Sequence, residues 1–262
     1  MVQPADWPIG LSIHLNAWDA GKVDLEAWKN AGVSRVELAW RNDSFDMFDA
    51  ANQEKCAGWV GDIVSCGMQV WTMHLPYGPL FDPSMDVDEV IARHIELMDL
   101  AQRLRIRTAV LHPSWEPIAD EERSERLAVC KRSLVKLAEE AEQRGITIAV
   151  ECLPRTCLGN TGVEMMELVS ADARLGICCD VNHLVQEPPE RFIRELGSRI
   201  VTLHISDNDG VDECHWMPGK GVIRWNEVID ALVEQRYAGP FLFEVRGATP
   251  PELEACWKSL LR

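Results

Sequence analysis

One (β/α)₈ TIM barrel, a single domain over residues 1–262, is the fold class this sequence predicts. Three observations predict it. Eight short apolar runs alternate with longer segments of helical period. The runs are continuously apolar, as parallel strands buried on both faces are. Each run also carries an ionisable side chain at or near its C-terminal end, where barrels place their chemistry.

In chain order the strand runs are GLSIHL (10–15), SRVELAW (34–40), MQVWTMH (68–74), TAVLH (108–112), TIAVE (147–151), LGICCD (175–180), IVTLH (200–204) and FLFE (241–244). Amphipathic stretches lie between them. The clearest covers 120–144, where Leu127, Cys130, Leu134, Leu137 and Ala141 recur three or four residues apart and form one apolar stripe. Gly32, Gly67 and Gly145 each fall where a helix must end before a strand, a C-cap position. Asp24, Asp120 and Thr249 sit near helix starts, with Pro250 in a first turn. The competing architecture, an open doubly wound sheet, normally shows a glycine-rich phosphate loop after its first strand, and none is present.

Composition excludes several function classes. The formal charge is −16 and the pI about 4.8, so phosphate backbones and anionic membranes are repelled and no nucleic-acid partner is expected. The opening MVQPADWPIG has neither the basic nor the apolar region of a signal peptide, and no run reaches the ~18 apolar residues of a membrane span. Nine cysteines, an odd number with no C-x-x-C, read as reduced, mostly buried thiols of a cytoplasmic protein. A homo-oligomer is compatible with such a chain.

The ionisable residues at or near the ends of the runs are His14, Glu37, His74, His112, Glu151, Asp180, His204 and Glu244. A carboxylate after four apolar residues, as in TIAVE, leaves a dry interior and needs a partner or a metal. Six of the seven histidines fall at strand ends or in the following loops; His94 lies on a helix, in a packing or solvated role. Any one of the six could be a hydrogen-bonded neutral imidazole, but their convergence favours a site. Glu151, Asp180, His204 and Glu244, one from each of strands five to eight, form the best metal set. Mixed carboxylate and imidazole ligands suit Mn²⁺ first, with Mg²⁺, Co²⁺ or Zn²⁺ as alternatives. Trp18, Trp40, Trp115 and Trp216 either seal loops or offer aromatic faces to a sugar ring. Arg155 and Arg246 either bind a substrate phosphate or carboxylate or pair with the acidic ligands.

Several motifs carry a resemblance. D-x-N-H (Asp180 to His183), H-I-S-D (His204 to Asp207), H-W-M-P-G-K-G-x-I-x-W (His215 to Trp225), F-E (Phe243, Glu244) and E-C-L-P-R-T-C-L-G-N-T (Glu151 to Thr161) resemble the xylose isomerase-like barrels, often labelled sugar phosphate isomerases/epimerases. The resemblance spans roughly residues 8 to 247. It implies one divalent ion on Glu151, Asp180, His204 and Glu244. By analogy with ketose 3-epimerases, the two glutamates act as acid and base, and His183 holds substrate oxygens. The implied reaction isomerises or epimerises a ketose or keto-sugar through an enediolate that the metal stabilises. A lyase or dehydratase acting on a keto-sugar, inosose or keto-acid uses the same site. A non-catalytic sugar-binding barrel is a further alternative. Endonuclease IV, a trinuclear branch, is also similar: its extra histidines match His74, His112, His183 and His215. Glu213 departs from that pattern, which has Asp there, and the net charge opposes DNA.

Overall fold

The computed structural model describes residues 3–40, 45–78 and 81–261; the other positions of the expected domain lie outside that set. Eight strands form one parallel sheet: β1 (Ile9–His14), β2 (Val33–Ala39), β3 (Gln69–His74), β4 (Thr108–Leu111), β5 (Thr147–Glu151), β6 (Gly176–Asp180), β7 (Ile200–His204) and β8 (Phe241–Phe243). Their order, β7-β6-β5-β4-β3-β2-β1-β8, brings the first and last strands together. Closure comes just beyond β7, where the Ile205 N–H donates to Leu242 O and the Glu244 N–H to Ile205 O, at 2.8 and 3.0 Å. The fold is therefore a closed (β/α)₈ TIM barrel, and the open doubly wound sheet is excluded.

The helices follow the strands: α1 (Leu15–Asp19), α2 (Leu25–Asn30), α3 (Ala50–Ser65), α4 (Val87–Arg103), α5 (Asp120–Gln143), α6 (Gly162–Val169), α7 (Pro189–Leu196), α8 (Trp225–Glu234) and α9 (Pro250–Leu260). Their caps explain the boundaries. Asp24 accepts from the Ala27 N–H at the start of α2, and Thr249 with Glu252 forms a capping box before Pro250. Asp120 is different: it occupies the first turn of α5, and Ala119 is the cap residue, without a side-chain bond. A carboxylate there interacts favourably with the helix N-terminus through its charge alone. Gly145 ends the turn after α5 at φ 64°, a left-handed conformation that side-chain-bearing residues seldom adopt.

The core lies both inside the barrel and between the sheet and the helices. Leu127 is the partly buried edge of the α5 stripe, whereas Cys130, Leu134, Leu137 and Ala141 are buried. His94 is also buried: its Nδ1 lies 2.7 Å from Val90 O, its ring meets Phe81, and burial pushes its pKa down to about 4, as a packing role requires. All nine cysteines are unpaired. Among the described residues no helix is long and apolar enough to cross a membrane.

Candidate metal centre at the barrel mouth

The C-terminal ends of the strands deliver their side chains to one place. Ligand atoms of Glu151, Asp180, His204 and Glu244 all lie within 4.8 Å of one another. Glu151 ends β5, Asp180 ends β6 and His204 ends β7, while Glu244 directly follows β8. His204 Nδ1 sits 3.2 Å from Glu151 Oε1, 3.5 Å from Glu244 Oε2 and 4.0 Å from Asp180 Oδ2. Two of these oxygens, Asp180 Oδ2 and Glu244 Oε2, are buried without a hydrogen-bond partner, although His183 Nδ1 comes within 3.1 Å of Asp180 Oδ2 as an ion pair. Buried oxygens that face other ligands and lack a hydrogen-bond partner are costly unless a cation completes them. The donor set thus fits one divalent ion.

Two further groups flank the first. His74 Nε2 and His112 Nε2 approach Glu151 Oε2 at 3.0 and 3.1 Å, so Glu151 is shared between both sides. On the other side Glu213 Oε2 lies 2.8 Å from His183 Nε2 and 3.5 Å from His215 Nε2. Both trios have the spacing of a metal site. The open cavity over them measures about 510 Å³ and is lined in part by His14, Tyr77, Trp115 and Arg246.

Local sequence explains how the loops hold these groups. In D-x-N-H, Asp180 Oδ1 accepts from the Asn182 N–H, and Asn182 Oδ1 in turn accepts from the Cys214 and His215 N–H groups. Asp207 of H-I-S-D accepts from the Gly219 and Ile223 N–H groups and from Trp225 Nε1. It anchors the long loop that carries Glu213 and His215. Gly221 is required in that loop because a Cβ would lie 2.0 Å from Asn208 O.

Charge in the mouth is tightly coupled. Burial alone would raise Glu151, but the His204 and His112 imidazoles beside it hold it well below the carboxylate range. Burial raises Asp180 to about 7; His183 opposes the rise, while the Glu244 and Glu151 charges add to it. Burial works against protonating His204 and His183, yet the surrounding acidic groups outweigh it and both are pushed well above the ordinary histidine value. His112 goes the other way, with desolvation lowering it. Hydrogen bonds from His183 and His215 hold the Glu213 carboxyl far below its usual range. The raised imidazoles thus balance the carboxylates beside them.

The remaining sequence candidates separate. Trp18 and Trp40 are buried, whereas Trp115 and Trp216 are 40% and 41% exposed; Trp115 stacks on Tyr77 at the cavity wall, with ring centroids 5.6 Å apart. Of the two roles open to Arg155, the structure has the ion pair. Its guanidinium bonds Glu116 Oε1 at 2.6 Å, Glu213 Oε1 at 3.0 Å and Asp212, and these contacts raise its pKa further. Arg246 lines the cavity and has no carboxylate partner among the described residues. Two residues the sequence left unassigned enter the site. Tyr77 lies in a loop without a motif. Glu37 is fully buried two residues before the end of β2, which runs to Ala39 rather than stopping at the charge.

Eight parallel strands close into a barrel whose C-terminal mouth gathers carboxylates and imidazoles that could hold a metal ion. The chain belongs to the xylose isomerase-like TIM barrel family, whose model matches residues 25–260. An uncharacterised protein of Methanocaldococcus jannaschii is 32% identical over 184 residues, 66% of this chain and 63% of that one. The fructoselysine 3-epimerase of Escherichia coli O157:H7 is 27% identical over 115 residues, 41% of each chain. The inosose isomerase of Halalkalibacterium halodurans is 28% identical over 171 residues, 60% of this chain and 59% of that one. The matched region spans less than two thirds of each of these relatives. A D-tagatose 3-epimerase-like protein superposes with a TM-score of 0.81 at 22% identity over 96% of each chain. The D-psicose 3-epimerase of Clostridium cellulolyticum H10 gives 0.75 at 20%, again over 96% of each. These two likenesses show the fold.

Proposed function

We propose that the protein is a divalent-metal-dependent isomerase or epimerase of a ketose or keto-sugar, working as one barrel domain over residues 1–262. The observation that carries this reading is the convergence of Glu151, Asp180, His204 and Glu244, with two buried carboxylate oxygens that have no hydrogen-bond partner. These residues would hold an ion whose chemistry, when bound, would be electrophilic stabilisation of charge on substrate oxygens as the neighbouring C–H loses its proton. Glu151 and Glu244 approach from β5 and from the end of β8, and act as the acid and base that remove and return that proton. His183 holds a substrate oxygen in place of the contact its Nε2 makes with Glu213 in this structure. His74, His112 and His215 line the cavity and orient the hydroxyls. Trp115 offers a ring face to the sugar. Arg246, without a carboxylate partner among the described residues, meets a substrate carboxylate or phosphate, whereas Arg155 keeps Glu213 in place. Mn²⁺ suits the oxygen-rich set best. The named relatives, an epimerase and an isomerase of sugar derivatives, support the reaction class. Unpaired thiols suit the cytoplasm.

The test is solvent exchange. Mn²⁺-loaded protein incubated in D₂O with D-tagatose, D-psicose, L-ribulose, fructoselysine and inososes should place deuterium on the carbon next to the carbonyl of one of them. An epimerase exchanges deuterium into both substrate and product. Release of a dehydrated product with little exchange back into substrate would replace this reading by the lyase. No exchange with any member of the panel would count against the proton-transfer site.

The two flanking trios favour a second reading, a polynuclear phosphoesterase related to endonuclease IV. It expects three ions per chain and hydrolysis of a phosphodiester. The −16 charge opposes duplex DNA as the substrate.

A further inference from the structure

Glu37 makes no contact with the cavity, yet it is completely buried beside the proposed metal set. Strand register explains its place. Ser12 on β1 pairs with Glu37 on β2, and Glu37 pairs with Thr72 on β3, so three neighbouring strands aim three polar side chains into one layer of the barrel interior. Ser12 Oγ donates to Glu37 Oε1 at 2.8 Å, and Thr72 Oγ1 donates to Oε2 at 2.7 Å. Across the barrel, His204 Nε2 lies 3.0 Å from Oε1 and 3.1 Å from Oε2. A carboxylate already bonded by two hydroxyl donors accepts only, so His204 Nε2 must carry its hydrogen. The other ring nitrogen, Nδ1, is the one that faces Glu151, Glu244 and Asp180.

We infer that Glu37 is a positioning residue: it fixes His204 with Nε2 protonated and presents Nδ1, with its lone pair, to the metal. The inference rests on the metal-dependent reading above and adds a residue to it. A ligating imidazole whose second nitrogen donates to a carboxylate is held in one tautomer and one ring orientation, and is made more basic. Ser12 and Thr72 hold the carboxylate in turn. Glu37 therefore acts through His204 and never touches substrate.

The test reads metal binding and ring chemistry, and needs no substrate. In ¹⁵N-histidine-labelled, Zn²⁺-loaded protein, the His204 resonances should show a coordinated Nδ1 and a solvent-protected Nε2–H. Glu37→Leu removes the acceptor and should raise the Zn²⁺ and Mn²⁺ dissociation constants by about 10–100-fold. Glu37→Gln keeps an acceptor oxygen and should stay within about 10-fold of wild type, a rescue that simple loss of core packing would not produce. The wild-type spectrum serves even if Glu37→Leu fails to fold. Coordination through Nε2, or wild-type affinity in a folded Glu37→Leu, would overturn the inference while leaving the metal centre intact. Failure of the wild type to take up either ion would overturn the metal reading itself, and the inference with it.

Discussion

Asp180→Asn should stabilise the metal-free protein. In the wild type the Asp180 carboxyl is completely buried, its Oδ2 has no hydrogen-bond partner, and its pKa stands at about 7 against the ordinary 3.8. Burial is the largest cause. The sign follows from linkage. A group whose pKa is raised by folding contributes stability below its unfolded pKa and loses it as pH rises through the folded value. The wild type therefore loses stability between about pH 4 and pH 7. At 1.36 kcal/mol per pH unit the ceiling of that loss is about 4 kcal/mol. Asparagine keeps the size and the acceptor for the Asn182 N–H but never ionises. Urea denaturation in chelator should show the variant more stable at pH 8 by about 2 kcal/mol or more, with the advantage vanishing towards pH 4. With metal added at 100 times its Kd the wild type gains about 2.7 kcal/mol, so the variant's advantage should shrink by up to that amount. A variant no more stable at pH 8 in chelator, or an advantage independent of pH, would refute the reasoning.

The other predictions concern chemistry and binding. Glu151→Gln and Glu244→Gln should each lower kcat on a confirmed substrate by about 10² or more, while losing less metal than Asp180→Ala; retention of full activity by both would leave His183 as the better base. Because His183 and His204 are held protonated in the absence of an ion, Zn²⁺ binding at pH 7 should release protons and weaken as pH falls. Calorimetry in buffers of different ionisation enthalpy measures this, and a binding heat independent of buffer would contradict it. Arg155→Ala breaks partly exposed ion pairs and should cost no more than about 1 kcal/mol in stability, a cost that shrinks in high salt. Abasic-site duplex DNA should be neither bound nor cut at physiological salt; cutting at a catalytic rate would promote the phosphoesterase reading.

Much of this was legible because parallel strands write their burial directly into sequence. In TIAVE and IVTLH an apolar run ends on a charge, so the residue at the barrel mouth is the one that breaks the pattern. That rule located Glu151, Asp180 and His204, and Glu244 one residue past β8. It placed Glu37 less well. SRVELAW continues for two strand residues past the glutamate, and only the pairing of β2 with β1 and β3 reveals that Ser12 and Thr72 share its layer. Arg155 was left with two open roles for a related reason. Its partners Asp212 and Glu213 lie 57 and 58 residues away, and its own backbone takes φ 52° in a loop whose geometry no periodicity encodes. Asp207 and Asn182 stood inside quoted motifs, but their work is to bond backbone N–H groups of the loop bearing His215, a tertiary arrangement. Asp120 shows the limit of cap signatures: an acidic residue serves a helix start equally as cap or in the first turn.

The most direct test of the metal-centred account is anomalous diffraction at the manganese edge from crystals soaked in Mn²⁺ and a ketose. The account predicts a peak between Glu151, Asp180, His204 and Glu244, with His204 bound through Nδ1 and the two glutamates converging on one substrate carbon. An absence of anomalous signal at those four residues, or a peak elsewhere in the molecule, would contradict it.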